Sequence, residues 1–249
     1  MENSKRKKIL FLFDVDGTLT PSRLKIGKDM KDVLLHLKEK VYIGFVGGSD
    51  IAKQKEQVGE DILDLFDYGF PENGVSFYKG SKLVSQESIL KFLGEENYTS
   101  FVNFTLKYLA DLDIPKKRGT FLELRKSMIN ISPIGRNCTQ EERMEFFHLD
   151  KEKGYRVNMV KALEKEFANS GLQFSIGGQI SIDCFPKGWD KTYCLRHVKD
   201  FDKIVFFGDM IEKGGNDYEI YVHVKTKGVG VKGPEDTITK IKEELRNIE

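Results

Sequence analysis

The feature that most constrains this chain is a run of five apolar residues, Ile9 to Phe13, followed at once by Asp14 and Asp16. A run of this length and composition is typical of a buried strand in a parallel sheet. The two carboxylates would then lie at the C-terminal edge of the strand, where open α/β sheets place their ligand crevices. Mg²⁺ is a suitable partner for such a pair, because acidic groups beside an apolar core repel each other and are poorly solvated. The alternative is an acidic turn, since Asp and Gly17 are common turn residues.

The next elements continue an α/β pattern. Residues 28–40 have helical apolar spacing, and Val41 to Val46 reads as a second strand that ends at Gly47-Gly48-Ser49-Asp50. A hydroxyl beside bare backbone amides and ahead of a helix is suited to binding phosphate. The alternative role of Ser49 is to cap the helix that follows.

Residues 86–187 depart from this pattern. The sequence predicts a helix over roughly 95–112, a capping box at Thr139 to Glu142 and a further helix over 157–167. Two antiparallel hairpins are predicted, over 120–132 and 172–185. Helices with antiparallel hairpins form an α+β layer that does not belong in a doubly wound sheet. We therefore predict a doubly wound Rossmann-like core over 1–85 and 188–249, with an inserted α+β cap domain over 86–187.

The α/β pattern returns after Trp189. Lys191 lies early in a predicted helix over 190–198, and a strand over 203–207 ends at Gly208-Asp209. Gly214-Gly215-Asn216-Asp217 follows. These acidic residues are predicted at the same sheet edge as Asp14, although about 200 residues separate them in the chain.

Phe13 to Thr20 resembles the nucleophile loop of the haloacid dehalogenase-like phosphotransferases, and the later motifs follow in that superfamily's order. The resemblance implies that Asp14 attacks phosphorus and forms an aspartyl-phosphate, with Asp16 as acid and base. Ser49 and Lys191 would balance phosphoryl charge. Asp14, the backbone carbonyl of Asp16 and Asp209 would hold Mg²⁺.

Several longer motifs resemble the eukaryotic phosphomannomutase family. They are Lys117 to Phe121, Asn130 to Arg136, Gln140 to Arg143, Phe174 to Ser181, Gly188 to Lys191, Gly208-Asp209 and Gly214 to Asp217. This likeness implies interconversion of mannose 6-phosphate and mannose 1-phosphate, which feeds GDP-mannose synthesis. It also implies Mg²⁺, a hexose 1,6-bisphosphate activator (glucose or mannose 1,6-bisphosphate) and a homodimer formed through the cap.

The cap is expected to choose the substrate. Guanidinium groups bind phosphate bidentately, so Arg125, Arg136 and Arg143 are candidates for a second phosphate site, although single arginines are often surface residues. Ser181 and Asp183 share a strand face that could receive sugar hydroxyls or be an ordinary polar face. By the likeness, Arg23 joins these five as a substrate contact.

The family resemblance also implies an additional cation held by the loop 218–226, with Tyr221 and Thr226 as ligands. The family usually has Asp where this chain has His223. A neutral imidazole is a poor ligand for hard cations, so the resemblance supports this second site less strongly than the first.

Charge and cysteine content exclude several function classes. A net charge of +1 provides no general field for nucleic acid or for an anionic membrane surface. The basic run Lys5 to Lys8 is predicted to be a solvated tail, with a nuclear signal or a phosphate patch as the alternatives. No segment has the length of a membrane span. Three cysteines without metal spacing predict reduced thiols and a cytoplasmic location. The alternatives to a mutase are a sugar-phosphate phosphatase with the same core and a non-catalytic protein that binds sugar phosphates.

Overall fold

The computed structural model describes residues 6–22 and 24–248, and the chain divides into two compact units. The core unit comprises Met1–Gln86 together with Gly188–Glu249, and the inserted unit comprises Glu87–Lys187. That the core unit carries catalysis and the inserted unit carries substrate binding stays a prediction.

The secondary structure elements are numbered in chain order. The strands are β1 Ile9–Phe13, β2 Tyr42–Gly47, β3 Tyr68–Pro71, β4 Ser76–Lys79, β5 Lys82–Gln86, β6 Leu122–Leu124, β7 Ile129–Ile131, β8 Leu172–Gly177, β9 Ser181–Pro186, β10 Lys203–Gly208 and β11 Thr226–Gly230. The α-helices are α1 Lys28–Lys40, α2 Ile51–Val58, α3 Ile62–Leu65, α4 Ile89–Leu93, α5 Glu95–Asp111, α6 Gln140–Lys153, α7 Tyr155–Glu166, α8 Tyr218–Tyr221 and α9 Pro234–Arg246. Two 3₁₀ segments cover Glu72–Gly74 and Lys191–His197.

The core unit is built on a seven-stranded sheet with the order β11-β10-β1-β2-β3-β4-β5. The five strands from β11 to β3 are parallel, whereas β4 and β5 form an antiparallel extension. β1 lies between β10 and β2, so Asp14, Ser49 and Asp209 follow the carboxyl ends of three neighbouring strands. The predicted α/β class is confirmed.

Alternate residues of β1 enter two separate cores. Phe11 and Phe13 pack in the cluster that contains Leu34 of α1 and Ile241 of α9. Leu10 and Leu12 pack in the cluster on the other face, together with Ile220 of α8. Because both faces of the strand are covered, every position in it is apolar, and the sequence shows a continuous run instead of alternation.

The inserted unit has a four-stranded antiparallel sheet with the order β6-β7-β9-β8. Its core joins Phe101 of α5 and Met159 of α7 to Ile131 and Ile182 on the sheet. The predicted capping box is present at Thr139. The Thr139 side chain accepts a hydrogen bond from the Glu142 amide, and the Glu142 carboxylate accepts one from the Thr139 amide.

Two local predictions need correction. In the first predicted hairpin, β6 covers only Leu122–Leu124, because Thr120 has a positive φ of 43° that an extended strand does not adopt. The helix predicted over 190–198 is a 3₁₀ segment over Lys191–His197. Side chains three residues apart align in a 3₁₀ helix, so Lys191 and Cys194 both face the interior and are buried.

Candidate active site

The loop after β1 holds Asp14 rigidly and leaves Asp16 accessible. The Asp14 amide donates to the carbonyl of Phe207 at 2.9 Å, which extends the parallel pairing by one residue. The amides of Leu19 and Thr20 both donate to the Val15 carbonyl at 3.0 Å and close a tight turn. Asp14 is buried at 5% exposure, whereas Asp16 is exposed and accepts a 3.0 Å hydrogen bond from Gln57 Nε2.

Gly17 allows the loop to approach the strand that precedes Asp209. Its φ is 84°, and a Cβ atom at this position would lie 2.3 Å from Asp209 Oδ2. The positive φ favours glycine at this position, and a Cβ atom would in addition force the Asp209 carboxylate to shift.

Three carboxylates converge at this sheet edge. Asp14, Asp209 and Asp217 each offer an oxygen, and these atoms all lie within 4.8 Å of one another. The Lys191 Nζ donates to Asp14 Oδ1 and to Asp217 Oδ1. Asp217 is fully buried, and its Oδ2 accepts from the Met210 amide at 3.1 Å.

Burial governs the protonation of this cluster. The pKa of Asp14 is raised to about 7, mainly by desolvation; Lys191 opposes this rise, whereas the charges of Asp217 and Asp209 add to it. Desolvation and the charge of Asp217 likewise raise the pKa of Asp209. Burial on its own lowers the pKa of Lys191, but Asp14 and Asp217 outweigh that effect and leave the pKa above its usual value. The positive charge of Lys191 therefore does not compensate the negative charges of all three carboxylates.

The donor set fits a hard divalent cation. Asp209 Oδ1 is buried and makes no hydrogen bond to any residue within 6–22 or 24–248. An unpartnered carboxylate oxygen beside two more carboxylates is a suitable ligand for Mg²⁺, which binds through one or two carboxylates and completes its shell with water and phosphate. A cation would also favour the ionised forms that burial disfavours.

Ser49 is not the cap of α2. Asp50 occupies that position, and its side chain accepts from the Lys53 amide at 2.9 Å. The Ser49 carbonyl accepts from the Glu72 amide at 2.9 Å, which fixes the backbone of this loop. With the capping role taken by Asp50, the phosphate-binding role of Ser49 is the alternative that remains, and it stays a prediction.

A polar network on the sheet of the inserted unit connects four of the predicted substrate residues. Glu123 Oε2 lies 2.7 Å from Arg125 Nη2 and 3.1 Å from Arg136 Nε. Arg136 Nη1 donates to Asn130 Oδ1 at 2.8 Å. Asn130 Nδ2 donates to Asp183 Oδ1 at 2.6 Å, and the Ser181 hydroxyl donates to Asn130 Oδ1 at 3.3 Å.

The sequence prediction missed both residues that join this network. Asn130 was part of a recognised motif but was given no role. Two residues apart on an extended chain, Glu123 and Arg125 are expected on the same face, and this spacing is the available signal for the contact. The remaining predicted substrate residues are Arg143 and Arg23. Arg143 lies in the first turn of α6 and is partly exposed, and Arg23 lies outside the described residues.

The similarity of this chain to known protein families identifies its own family. The family model described as "Eukaryotic phosphomannomutase" matches residues 30–247 of this chain. The chain belongs to the eukaryotic phosphomannomutase family. The match extends across both units.

Curated phosphomannomutases resemble the chain over nearly its full length. The phosphomannomutase of Encephalitozoon cuniculi is 62% identical over 244 residues, which cover 97% of this chain and 95% of that protein. The phosphomannomutase of Schizosaccharomyces pombe is 55% identical over 247 residues, covering 97% and 96% respectively.

Solved structures show the same fold at low identity. A haloacid dehalogenase-like hydrolase from Bacteroides thetaiotaomicron has a TM-score of 0.59 at 13% identity and covers 98% of this chain and 100% of that one. A trehalose-6-phosphate phosphatase related protein has a TM-score of 0.54 at 14% identity, with 96% and 98% covered. These similarities support the haloacid dehalogenase-like architecture.

The loop in which this member of the phosphomannomutase family carries His223 is closed by its own hydrogen bonds. Thr226 Oγ1 lies 3.0 Å from the His223 carbonyl and 2.5 Å from the Ile220 carbonyl, to which it can donate. The Lys225 amide donates to His223 Nδ1 at 3.1 Å, so this ring nitrogen acts as an acceptor within the loop. Tyr221 and Thr226 stay predicted ligands of an additional cation.

No helix among residues 6–22 and 24–248 combines the length and apolar character that crossing a bilayer would require.

Proposed function

We propose that this chain is a phosphomannomutase that interconverts mannose 6-phosphate and mannose 1-phosphate through an aspartyl-phosphate. The observation that carries the proposal is that one chain holds both a buried, lysine-paired Asp14 and a separate pair of arginines, Arg125 and Arg136. A phosphatase needs the first of these, whereas a mutase needs a further place for phosphate. The high identity to curated phosphomannomutases supports the same activity.

Phosphoryl transfer would begin at Asp14. Its carboxylate attacks phosphorus, a P–O bond to Asp14 forms, and the bond from phosphorus to the leaving oxygen breaks. Lys191 keeps the side chain in one orientation and offsets negative charge beside it.

Asp16 would handle the proton. It is exposed and is held by Gln57, so it can protonate the departing sugar oxygen and later deprotonate the accepting hydroxyl. This division of roles matches the environments: the nucleophile is buried and constrained, and the acid–base group is accessible.

Asp14, Asp209 and the carbonyl of Asp16 would hold Mg²⁺, with Asp217 behind them. When bound, the cation neutralises charge on the transferring phosphoryl group. Ser49 would donate to the same group from the next strand edge.

The inserted unit would recognise the substrate. Arg125, Arg136 and Arg143 bind phosphate, and Ser181 and Asp183 accept or donate to sugar hydroxyls. Because phosphate moves between two positions of one sugar, a hexose 1,6-bisphosphate is the intermediate and also the activator that first phosphorylates Asp14. Arg23 is proposed as a further substrate contact on the family likeness alone.

We extend the proposal to a homodimer formed through the inserted unit. Exposed apolar side chains on this unit support an apolar contact, namely Leu106, Leu124, Val157 and Ile176. A cytoplasmic location is consistent with the unpaired thiols of the three cysteines.

The deciding experiment measures isomer and inorganic phosphate in one reaction. Mannose 1-phosphate is supplied with Mg²⁺, with and without micromolar glucose 1,6-bisphosphate. We expect near-background conversion without the activator, strong formation of mannose 6-phosphate with it, and little phosphate release. Phosphate release that exceeds isomerisation at saturating activator would establish the phosphatase alternative. Binding without either product would establish the non-catalytic one.

A further inference from the structure

One carboxylate in the inserted unit lies where an anionic ligand would be expected. Glu123 Oε2 accepts from Arg125 Nη2 at 2.7 Å and from Arg125 Nε at 3.2 Å, and the same oxygen lies 3.1 Å from Arg136 Nε. A single oxygen atom of the protein thus bridges two guanidinium groups. This is the arrangement that a phosphate oxygen makes between two arginines.

The bridge leaves room for a ligand. The exposed fractions of the Glu123, Arg125 and Arg136 side chains are 37%, 34% and 37%, so all three are half-open to solvent. Each guanidinium carries five N–H hydrogens, which is more than these contacts use. A phosphate can therefore bind to the arginines beside Glu123 without displacing it.

Glu123 also changes the charge that such a phosphate meets. The two arginines contribute two positive charges, Glu123 contributes one negative charge at contact distance, and Asp183 contributes another through Asn130. These four groups carry two positive and two negative charges. A carboxylate between two arginines repels a phosphate that binds to them, so it is not expected in a site where only tight binding of phosphate matters.

We infer that Glu123 is a positioning residue that holds the two arginines in register and weakens their grip on phosphate. The inference rests on the proposed function. A mutase must release the bisphosphate intermediate from its phosphate-binding arginines and bind it again by the other phosphate. An arginine pair with its full charge would hold that tetra-anion too long. Partial neutralisation by Glu123 keeps exchange fast.

Charge and shape can be separated by two substitutions. Glu123→Gln retains a carbonyl oxygen that can accept from the arginines but removes the charge. Glu123→Asp retains the charge on a shorter side chain. Glu145→Gln is the matched control, because Glu145 is a carboxylate of the same unit whose ion-pair partner is Lys116.

The binding test titrates glucose 1,6-bisphosphate into each protein by calorimetry in EDTA, where phosphoryl transfer is suppressed. We expect Glu123→Gln to bind about three- to thirtyfold more tightly than the wild type, because a charge near a highly charged ligand is removed. Glu123→Asp and Glu145→Gln should stay within about twofold.

The turnover test uses mannose 1-phosphate at saturating activator. We expect kcat of Glu123→Gln to fall severalfold although its affinity rises, because release of the intermediate becomes slow. A residue that merely supports the arginines would show the reverse for affinity, with weaker binding in Glu123→Gln. Unchanged or weaker binding in that variant, while the wild type isomerises its substrate, would overturn this inference and leave the proposed function intact. A wild type that does not isomerise would overturn both.

Discussion

At the scale of single residues, the site is defined by charges that burial makes costly. Asp14 is nearly inaccessible and has two further carboxylates close by, with Lys191 as its cationic partner in the described part of the chain. Burying such groups is tolerated only when they are paired or bind a cation. The unfavourable free energy of burying these carboxylates is consistent with a functional role for them.

Replacing the two acids of the first loop should have different effects. Asp14→Asn removes the nucleophile and should abolish both isomerisation and phosphate release. Asp16→Asn retains the nucleophile and loses acid–base catalysis, typically about 10²–10⁴-fold in kcat. Steady-state assays with mannose 1-phosphate measure both, and the Mg²⁺-dependent thermal shift serves as the folding control. Wild-type-like turnover in Asp14→Asn would contradict the mechanism.

The arginines of the inserted unit should matter only for sugar phosphates. Arg136→Ala or Arg143→Ala removes a charge-assisted hydrogen bond worth roughly 1.5–3 kcal/mol. The value of kcat/KM for mannose 1-phosphate should then fall about ten- to one-hundred-and-fiftyfold. Hydrolysis of p-nitrophenyl phosphate, which has no sugar, should fall much less.

Arg118→Ala is the control for those variants, because Arg118 lies on the same unit and pairs with Glu142 outside the Glu123 network. It should leave both activities unchanged. Equal losses on both substrates in Arg136→Ala would mean that this arginine is structural.

At the scale of elements, one buried arginine joins the helices of the inserted unit to its sheet. Arg156 is 4% exposed and donates to Asp150 Oδ2 at 2.7 Å. Its Nη1 also donates to the carbonyls of Gly178 at 3.0 Å and Ser181 at 3.2 Å. The turn between β8 and β9, and with it the start of the strand that carries Ser181 and Asp183, is therefore held by α7.

Breaking this connection should destabilise the inserted unit. Arg156→Met leaves the Asp150 charge buried without its partner and removes donors from the turn carbonyls, at a cost of about 3–5 kcal/mol in unfolding free energy. Urea unfolding measures the loss. Adding Asp150→Asn should recover part of it, because the unpaired charge is gone.

Arg118→Met is the matched control, since its ion pair with Glu142 is solvent-exposed and should contribute little. A loss in Arg156→Met no larger than that in Arg118→Met would show that the buried pair does not hold the hairpin.

At the scale of the whole molecule, the chain joins two units with different sheets and different chemistry. The parallel sheet gathers acidic groups from strands far apart in sequence, and the antiparallel sheet presents arginines and amides. The predicted cation ligands all lie in the core unit. The effect of Mg²⁺ on stability should therefore appear in the thermal transition of that unit.

Mg²⁺ should stabilise the core unit. A ligand present at a hundred times its dissociation constant contributes about 2.7 kcal/mol, which corresponds to several degrees in Tm for a unit of this size. Calorimetry with Mg²⁺ and then with EDTA measures the shift. Asp209→Asn should lose the shift without lowering the Tm of the cation-free protein, because one repelling carboxylate is removed. A Tm that is the same with Mg²⁺ and with EDTA would contradict the predicted cation site.

The sequence alone determined the features that depend on neighbouring residues. The uninterrupted apolar run before Asp14 predicted a doubly covered strand, and the Thr139 to Glu142 pattern predicted a capping box; both are present. Backbone sterics, capping and amphipathic periodicity act over a few residues, so they can be inferred from local sequence.

Only the tertiary structure decided which charges meet. Lys191 and Asp14 are 177 residues apart in the chain and form an ion pair because β1 and β10 are adjacent and a 3₁₀ segment turns the lysine inward. Glu123 bridges Arg125, which directly follows its own strand, to Arg136, which lies beyond the next strand. No local pattern specifies such pairs, because the energy of a buried charge depends on everything that surrounds it in the folded chain.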